Sequence, residues 1–279
     1  MTLLSKATTT ASCTVSIVTP SLNHGAYIRA AIDSVLAQDY PMVEYTVLDG
    51  GSTDDTLDIL RDYSGRIGWI CEPDQGLYDA VNKGWHNAKG DYLGYLNADD
   101  VLYPGAISTL VGELNAHPES ALAYGGSVRL SEQGIPVDHL RAGLTDYDRL
   151  IRHGNNIFTG AMLVRRSALK NIGFFDTAYK YAADYDFCIK VAKCYPLRFI
   201  DQFLAAFRVH QNSKSQNSRW KMWHETLTIS YKHSHKIYAG LYTRYIIDRL
   251  IHSLPESFLW DEKLIPLRKK LRRLWGLGG

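Results

Sequence analysis

Three short polar segments hold residue types that could grip a polar ligand: Thr19-Pro20-Ser21-Leu22-Asn23, Asp49-Gly50-Gly51-Ser52 and Asn97-Ala98-Asp99-Asp100. Each follows a short apolar run of strand-like composition. In open α/β sheets ligands bind outside the carboxyl ends of the strands, so acids and hydroxyls there are the first residues to inspect. Singly, each segment also reads as structure: Asp49-Gly50 is a turn, Ser52 a helix cap, and Pro20 a strand stop. Their convergence on one sheet edge marks a candidate site.

The elements that must position these segments follow from hydrophobic periodicity. From Thr14 to Leu114 strand-like and helix-like stretches alternate, the pattern of parallel strands joined by crossover helices. Strands are expected at Val15 to Thr19, Val43 to Leu48, Ile67 to Cys71 and Tyr92 to Leu96. Between them Ile28, Ala31, Ile32, Val35 and Leu36 line one helical face, as do Val81, Trp85 and Ala88, and later Ile107, Leu110, Val111 and Leu114. Ser52, three residues before Asp55, suggests a capping box opening the second helix. Beyond Ala121 the pattern is mixed. Strands are expected at Tyr124 to Leu130, Phe158 to Val164, Phe199 to Ile200 and Ala205 to Val209, with a turn at Glu132-Gln133-Gly134 and a helix from about Asp184 to Cys194.

Composition bounds the rest. A chain of 279 residues with 46% apolar residues buries one sizeable core plus a tail, and a formal charge of +2 gives no case for nucleic acid as partner. Cys13, Cys71, Cys188 and Cys194 lack C-x-x-C spacing, which suits a reducing compartment. No signal-peptide core opens the chain, and no run approaches about 18 apolar residues, so the expectation is a cytoplasmic protein. The polar run from Gln211 to Arg219 separates an expected catalytic domain, residues 1–215, from a helical extension, residues 216–279. From Arg219 onward basic side chains outnumber acidic ones 12 to 5.

Taken together, Val18-Thr19-Pro20-Ser21-Leu22-Asn23, Leu48-Asp49-Gly50-Gly51-Ser52-Thr53-Asp54, Asp74-Gln75-Gly76-Leu77-Tyr78-Asp79-Ala80 with Asn82-Lys83-Gly84, and Leu96-Asn97-Ala98-Asp99-Asp100 resemble the family 2 glycosyltransferases over about residues 14–210. The resemblance implies a GT-A fold: a Rossmann-like mixed central sheet flanked by helices, here with a C-terminal helical tail. It also implies an inverting, metal-dependent transfer from a nucleotide-sugar, with a UDP-hexose expected. Thr19, Pro20, Asp49 and Asp74 become base contacts and Asn97 a ribose contact, while Ser21, Asn23, Gly50, Ser52 and Ala98 complete the donor site. Asp99, last of the DXD triplet, becomes the ligand of Mn2+ or Mg2+, and His210 after the last core strand a second ligand or a surface histidine. Asp184, in Tyr181-Ala182-Ala183-Asp184-Tyr185-Asp186, resembles the family's catalytic base; a helix N-cap is its bland alternative, and Asp186 the runner-up base.

The chemistry suits these types. A departing diphosphate concentrates negative charge that a divalent ion neutralises, and magnesium or manganese usually takes only one or two carboxylates. Inversion needs a base that removes the acceptor hydroxyl proton. Two departures stand out: Asn97 replaces the first acid of DXD, and Val81 stands where many relatives carry Arg, leaving Lys83 or Asp79 for that role. Gln216-Asn217-Ser218-Arg219-Trp220 spells the Q-x-x-R-W of processive synthases, either by coincidence or with Trp220 stacking on an acceptor sugar.

In the tail Trp220, Trp223, Leu227, Tyr231, Tyr238, Leu241 and Tyr245 suggest two amphipathic helices packing at the acceptor side or in a homo-oligomer. Leu267, Leu271, Leu274 and Trp275, among five basic residues, suggest a further helix that docks on protein or lies on a membrane surface. The expected acceptor is a glycan or lipid-linked saccharide, and a membrane-surface helix would make the protein peripheral at the inner face. The rivals are a non-catalytic scaffold of the same fold and a sugar-nucleotide pyrophosphorylase. The latter needs a glycine-rich basic loop after the first strand, where residues 19–25 contain one glycine and no lysine or arginine.

Overall fold

The computed structural model describes residues 13–211, 213 and 218–253. The tail segment from Leu267 to Trp275 lies outside them, as do Gln216 and Asn217.

The first strand, β1 (Val15–Ser21), is buried at all seven positions. That is the signature of a central parallel strand covered on both faces. It pairs in parallel with β2 (Val43–Asp49) on one side and β4 (Tyr92–Tyr95) on the other, and β2 carries β3 (Gly68–Cys71) at the edge. Successive strands thus step outward to β3, and then the chain returns to the other side of β1. The crevice between β1 and β4 is the topological switch point where such sheets bind ligands.

Beyond β4 the sheet turns mixed. β8 (Met162–Arg165) is antiparallel to both β4 and β6 (Leu122–Leu130), β9 (Leu197–Arg208) runs parallel to β6, and the two-residue β5 (Val101–Leu102) pairs antiparallel with β9. Because β5 follows β4 within six residues yet lies at the opposite end of the strand order, the sheet curls back on itself. A hairpin strand, β7 (Pro136–Leu140), hangs from β6.

Helices α1 (Ile28–Leu36), α2 (Thr56–Asp62) and α4 (Ala106–Ala116) cover one face of the sheet; Ile28, Ile32, Leu60, Ile107 and Leu110 fill that core. Helices α3 (Leu77–Asn87), α5 (Tyr147–His153), α6 (Leu169–Ile172) and α7 (Ala183–Cys194) cover the other, around Val81, Trp85, Leu150, Tyr185 and Phe187. Two tail helices, α8 (Arg219–Ser234) and α9 (Ala239–Ser253), pack against α5 and α7. Among the described residues no helix is long and apolar enough to cross a membrane.

Several sequence expectations are corrected. Ser52 does not cap α2: its hydroxyl donates to Asp49 Oδ2 at 2.6 Å, and the helix begins four residues later at Thr56. The Ser52 oxygen accepts from Asn23 N at 2.7 Å and so is taken up by the loop after β1, not by the N–H groups that open α2. The stretch from Phe158 enters β8 through a 3-10 turn, Thr159–Ala161. The two short strands expected after Phe199 are one, because exposed Asp201 and Gln202 interrupt the apolar pattern without interrupting the pairing. Helix α5 was not foreseen, though Asp146 caps it by accepting from Arg149 N at 2.8 Å and Gly154 ends it.

Gly84 lies where α3 crosses β1, and a Cβ there would come within 2.6 Å of Val18 Cγ2. Gly84→Ala should therefore destabilise the fold by about 1–3 kcal/mol through overpacking against a stiff β-branched side chain. Gly112→Ala in α4, where nothing lies within 4 Å, should stabilise by about 0.5–1 kcal/mol through helix propensity. Urea midpoints of the two variants that move in the same direction would contradict this packing.

Candidate active site

The loop after β1 and the loop after β2 are knitted together. Asn23, in the left-handed region at φ 56°, accepts from Thr53 N at 2.8 Å and donates its own N–H to Ser52 Oγ at 2.7 Å. Asn tolerates that conformation better than most residues. Gly25 N donates to Asp54 Oδ2 at 2.9 Å, and His24 N to Thr56 Oγ1 at 3.0 Å. Asp49 is buried; it accepts from Gly51 N at 3.0 Å, Ser52 N at 2.7 Å and Ser52 Oγ. Asn23, Asp49 and Ser52 thus shape the rim of the crevice. Thr19 turns into the core, sharing a 3.0 Å hydrogen bond with Tyr45.

At the switch point Pro20 and Ser21 end β1 beside the segment from Asn97 to Asp100. Ser21 Oγ and Asn97 Oδ1 are both buried without a hydrogen-bond partner. Such orphans cost about 1–3 kcal/mol each unless a ligand satisfies them. Across the rim Gly50 admits the Asp74 carboxylate, which a Cβ would meet at 2.7 Å, and Asp74 in turn accepts from Gly76 N at 2.7 Å. Asp79 accepts from Gln75 N at 2.9 Å, while Lys83 donates to Pro73 O at 3.1 Å and reaches Glu72 at 3.3 Å and Asp79 at 3.5 Å. These two stiffen the loop opening α3. Val81 is in the core.

The acidic tip of β4 is fastened to the end of β9. Asp100 is buried; it accepts from Arg208 N at 2.9 Å and from Asn97 Nδ2 at 2.9 Å. Burial, then the neighbouring Asp99, push its carboxyl well above the usual carboxylate range. Ala98 is fully buried, and Asp99 remains half-buried with its Oδ2 3.1 Å from His210 Nε2. His210 is held by its N–H to Ser213 Oγ at 3.0 Å and by the ring of Tyr27 at 4.8 Å, which Arg208 covers from 5.2 Å. Two atoms 3.1 Å apart match adjacent ligands of one octahedral cation at about 2.1 Å each. A carboxylate with an imidazole is a donor set suited to manganese. The residues present therefore fit Mn2+ or Mg2+ as a pair, and no group of three or more His, Cys, Asp or Glu ligands is found among the described residues.

Asp184 projects from the first turn of α7, one residue inside the helix and not as its cap. Its Oδ1 accepts from Tyr78 OH at 3.1 Å and its Oδ2 from Asn155 Nδ2 at 3.2 Å. Burial raises its carboxyl above the ordinary value, against the lowering effect of these hydrogen bonds. Burial also drives the phenol of Tyr95, in β4, far up, and both Asp184 and Asp100 add to that shift. The two carboxylates thus both lie near the ring that ends β4. Asp186 is spoken for: buried, it pairs with Lys190 at 2.6 Å and His233 at 2.8 Å.

The structure adds residues that sequence reasoning missed. His24 sits among Asp99, His210, Asp54 and Asp49; burial lowers its pKa, Asp99 opposes that, and His210 adds to it. Its Nδ1 accepts from Leu22 N at 3.1 Å, so the neutral ring presents an Nε2–H donor. Glu225 of α8 accepts from Lys180, Tyr181 and Ala182 N–H groups at 2.9, 2.8 and 2.8 Å, fixing the approach to α7. Tyr78 and Asn155 carried one usable signal each: Tyr78 opens α3 after the Asp74 loop, and Asn155 follows a glycine helix stop.

A sheet reversed beyond its fourth strand, with an acid and an imidazole at that strand's tip, defines a GT-A glycosyltransferase fold. Residues 1–349 of Staphylococcus aureus TarS, solved with UDP-GlcNAc, superpose with a TM-score of 0.64 at 19% identity, covering 78% of this chain and 65% of that one. The mannosyltransferase PcManGT of Pyrobaculum calidifontis, solved with GDP-Man and Mn2+, gives 0.64 at 18% identity, covering 84% and 70%. The chain belongs to glycosyl transferase family 2, whose profile matches residues 16–173. A PGL/p-HBAD biosynthesis glycosyltransferase of Mycobacterium bovis is 35% identical over 180 residues, 63% of this chain and 68% of that protein. A glycosyltransferase of Rickettsia felis is 31% identical over 216 residues, 72% of this chain, and the chain spans only 35% of that relative's length.

Because folding raises the Asp184 carboxyl above its unfolded value, its contribution to stability is fully present below the ordinary carboxylate range. That contribution is lost as pH rises through the raised value. Asp184→Asn should accordingly gain stability over the native protein between acid and neutral pH, read from urea unfolding at several pH values. A difference between the two that does not change with pH would show that Asp184 is not held up by burial.

Proposed function

We propose that this protein is an inverting, metal-dependent glycosyltransferase that moves a hexose from a uridine-linked nucleotide donor to a hydroxyl of a glycan or lipid-linked saccharide. The observation that carries this reading is the pairing of Asp99 with His210 at the β4 tip, across Tyr95 from a carboxyl raised by burial. Family membership supports the transfer chemistry. The UDP-GlcNAc bound by TarS, and the GDP-Man and Mn2+ bound by PcManGT, support a nucleotide-sugar donor and a divalent ion.

Each residue then has a task. Asp99 and His210 would hold Mn2+ or Mg2+, which supplies charge neutralisation for the departing diphosphate. Ser21 and Asn97 offer their orphaned oxygens to donor hydroxyls, with Thr19, Pro20, Asp49, Gly50, Ala98 and Asp74 shaping the nucleoside pocket, and Asn23 and Ser52 bracing its rim. Asp79 and Lys83 fix the loop that closes over it. Asp184 takes the acceptor hydroxyl proton. Tyr78 and Asn155, both donors, orient that carboxylate and stabilise its charged form, while burial keeps it basic enough to accept a proton. In this reading residues 1–215 carry catalysis, and the extension 216–279 holds α7 and faces the acceptor.

Turnover of UDP-hexoses provides the test. Asp184→Asn should lower kcat by about 10²–10⁴ with donor KM little changed. Asp99→Ala should raise donor KM and the metal requirement, and EDTA should stop the native enzyme. Unimpaired transfer by both variants would remove this mechanism.

A further inference from the structure

The junction of α5 with α9 gathers Arg149, Arg152, His153 and Arg244. Arg244 is half-buried; burial first, and Arg149 next, hold its guanidinium below the usual value. His153 is likewise lowered, by burial and then by Arg149, Arg244 and Arg152. The Nε–H groups of Arg149 and Arg244 are both buried without a hydrogen-bond partner. No carboxylate lies within ion-pair distance of the three arginines among the described residues. Asp248, one turn beyond Arg244, lends it some compensation but is itself bound by Arg219 at 2.7 Å and Trp223 at 2.8 Å.

A structural role accounts for part of this. Arg244 donates to His153 O at the carboxyl end of α5, and Arg152 lies 5.0 Å from the Tyr238 ring. A helix end supplies roughly half an elementary charge, too little for two half-buried guanidinium groups that each keep an Nε–H without a partner. Clustered cations without carboxylate partners repel one another, and a phosphate, which arginine binds with parallel N–H donors, relieves that repulsion.

The cluster adjoins the base. His153, whose carbonyl accepts from Arg244, lies two residues before Asn155, whose Nδ2 donates to Asp184 Oδ2 at 3.2 Å. We propose that Arg149 and Arg244, with Arg152 and His153 at the rim, form an anion subsite that takes the phosphate of a phosphate-bearing acceptor. This rests on Asp184 marking the acceptor side. The phosphate belongs either to a lipid carrier or to a soluble sugar phosphate.

Calorimetric titrations with and without UDP and Mg2+ test it using four probes: geranyl phosphate, geraniol, hexose 1-phosphate and methyl hexoside. The expected result is that at least one phosphate binds tenfold or more tighter than its phosphate-free counterpart. Arg149→Gln should erase that difference, and Arg244→Lys should retain part of it. Preference for geranyl phosphate assigns a lipid source, and preference for hexose 1-phosphate a soluble one. Equal binding of all four probes, or a phosphate preference that survives Arg149→Gln, would overturn the subsite. Turnover of UDP-hexoses is read separately: its absence sinks the transferase reading while the nucleotide-free titrations still judge the subsite.

Discussion

Two stretches of chain 108 residues apart meet at one buried carboxylate. Asp100 accepts the backbone N–H of Arg208 and the amide of Asn97, and so fastens the tip of β4 to the end of β9 where the sheet curls. Without that acceptor the Arg208 N–H and the Asn97 amide would be left in the protein interior. Asp99 and His210 are the side chains on either side of this joint. Their 3.1 Å approach is a consequence of it, and Arg208 braces the same joint by donating to Asp99 O at 3.2 Å. The proposed cation site is thus built on a carboxylate that itself need not bind the cation.

The other half of the site depends on the tail. Glu225 satisfies three N–H groups ahead of α7, Asp186 anchors His233 of α8, and Tyr147 OH reaches His233 O at 3.0 Å. These contacts fix the first turn of α7 and with it Asp184. The proposed donor pocket, made by the parallel half of the sheet, is therefore completed by a proposed base whose position is set by helices from the far end of the chain. The cationic cluster between α5 and α9 belongs to that same assembly.

The parallel half was legible because burial there imposes clean periods: β1, β2 and β4, and the faces of α1, α3 and α4, fell where apolar spacing put them. The mixed half was not. β9 hides its continuity behind exposed Asp201 and Gln202, β5 is two residues long, and α5 is too short for a periodic signal. Within the site, motif positions located the rim and the β4 tip but not which side chains stay free. Asp49, Asn23 and Ser52 spend their hydrogen bonds on one another, a matter of loop geometry that composition does not encode. His24, Asp100 and Asn155 matter because of what the fold brings to them from more than 25 residues away.

The most direct measurement of the Asp99–His210 pairing is pulsed electron paramagnetic resonance of Mn2+ bound together with UDP. One coupled imidazole nitrogen is expected in the native protein and none in His210→Gln, with Mn2+ affinity reduced in Asp99→Ala. A Mn2+ centre that shows no nitrogen coupling in the native protein, and binds equally well to both variants, would contradict that arrangement.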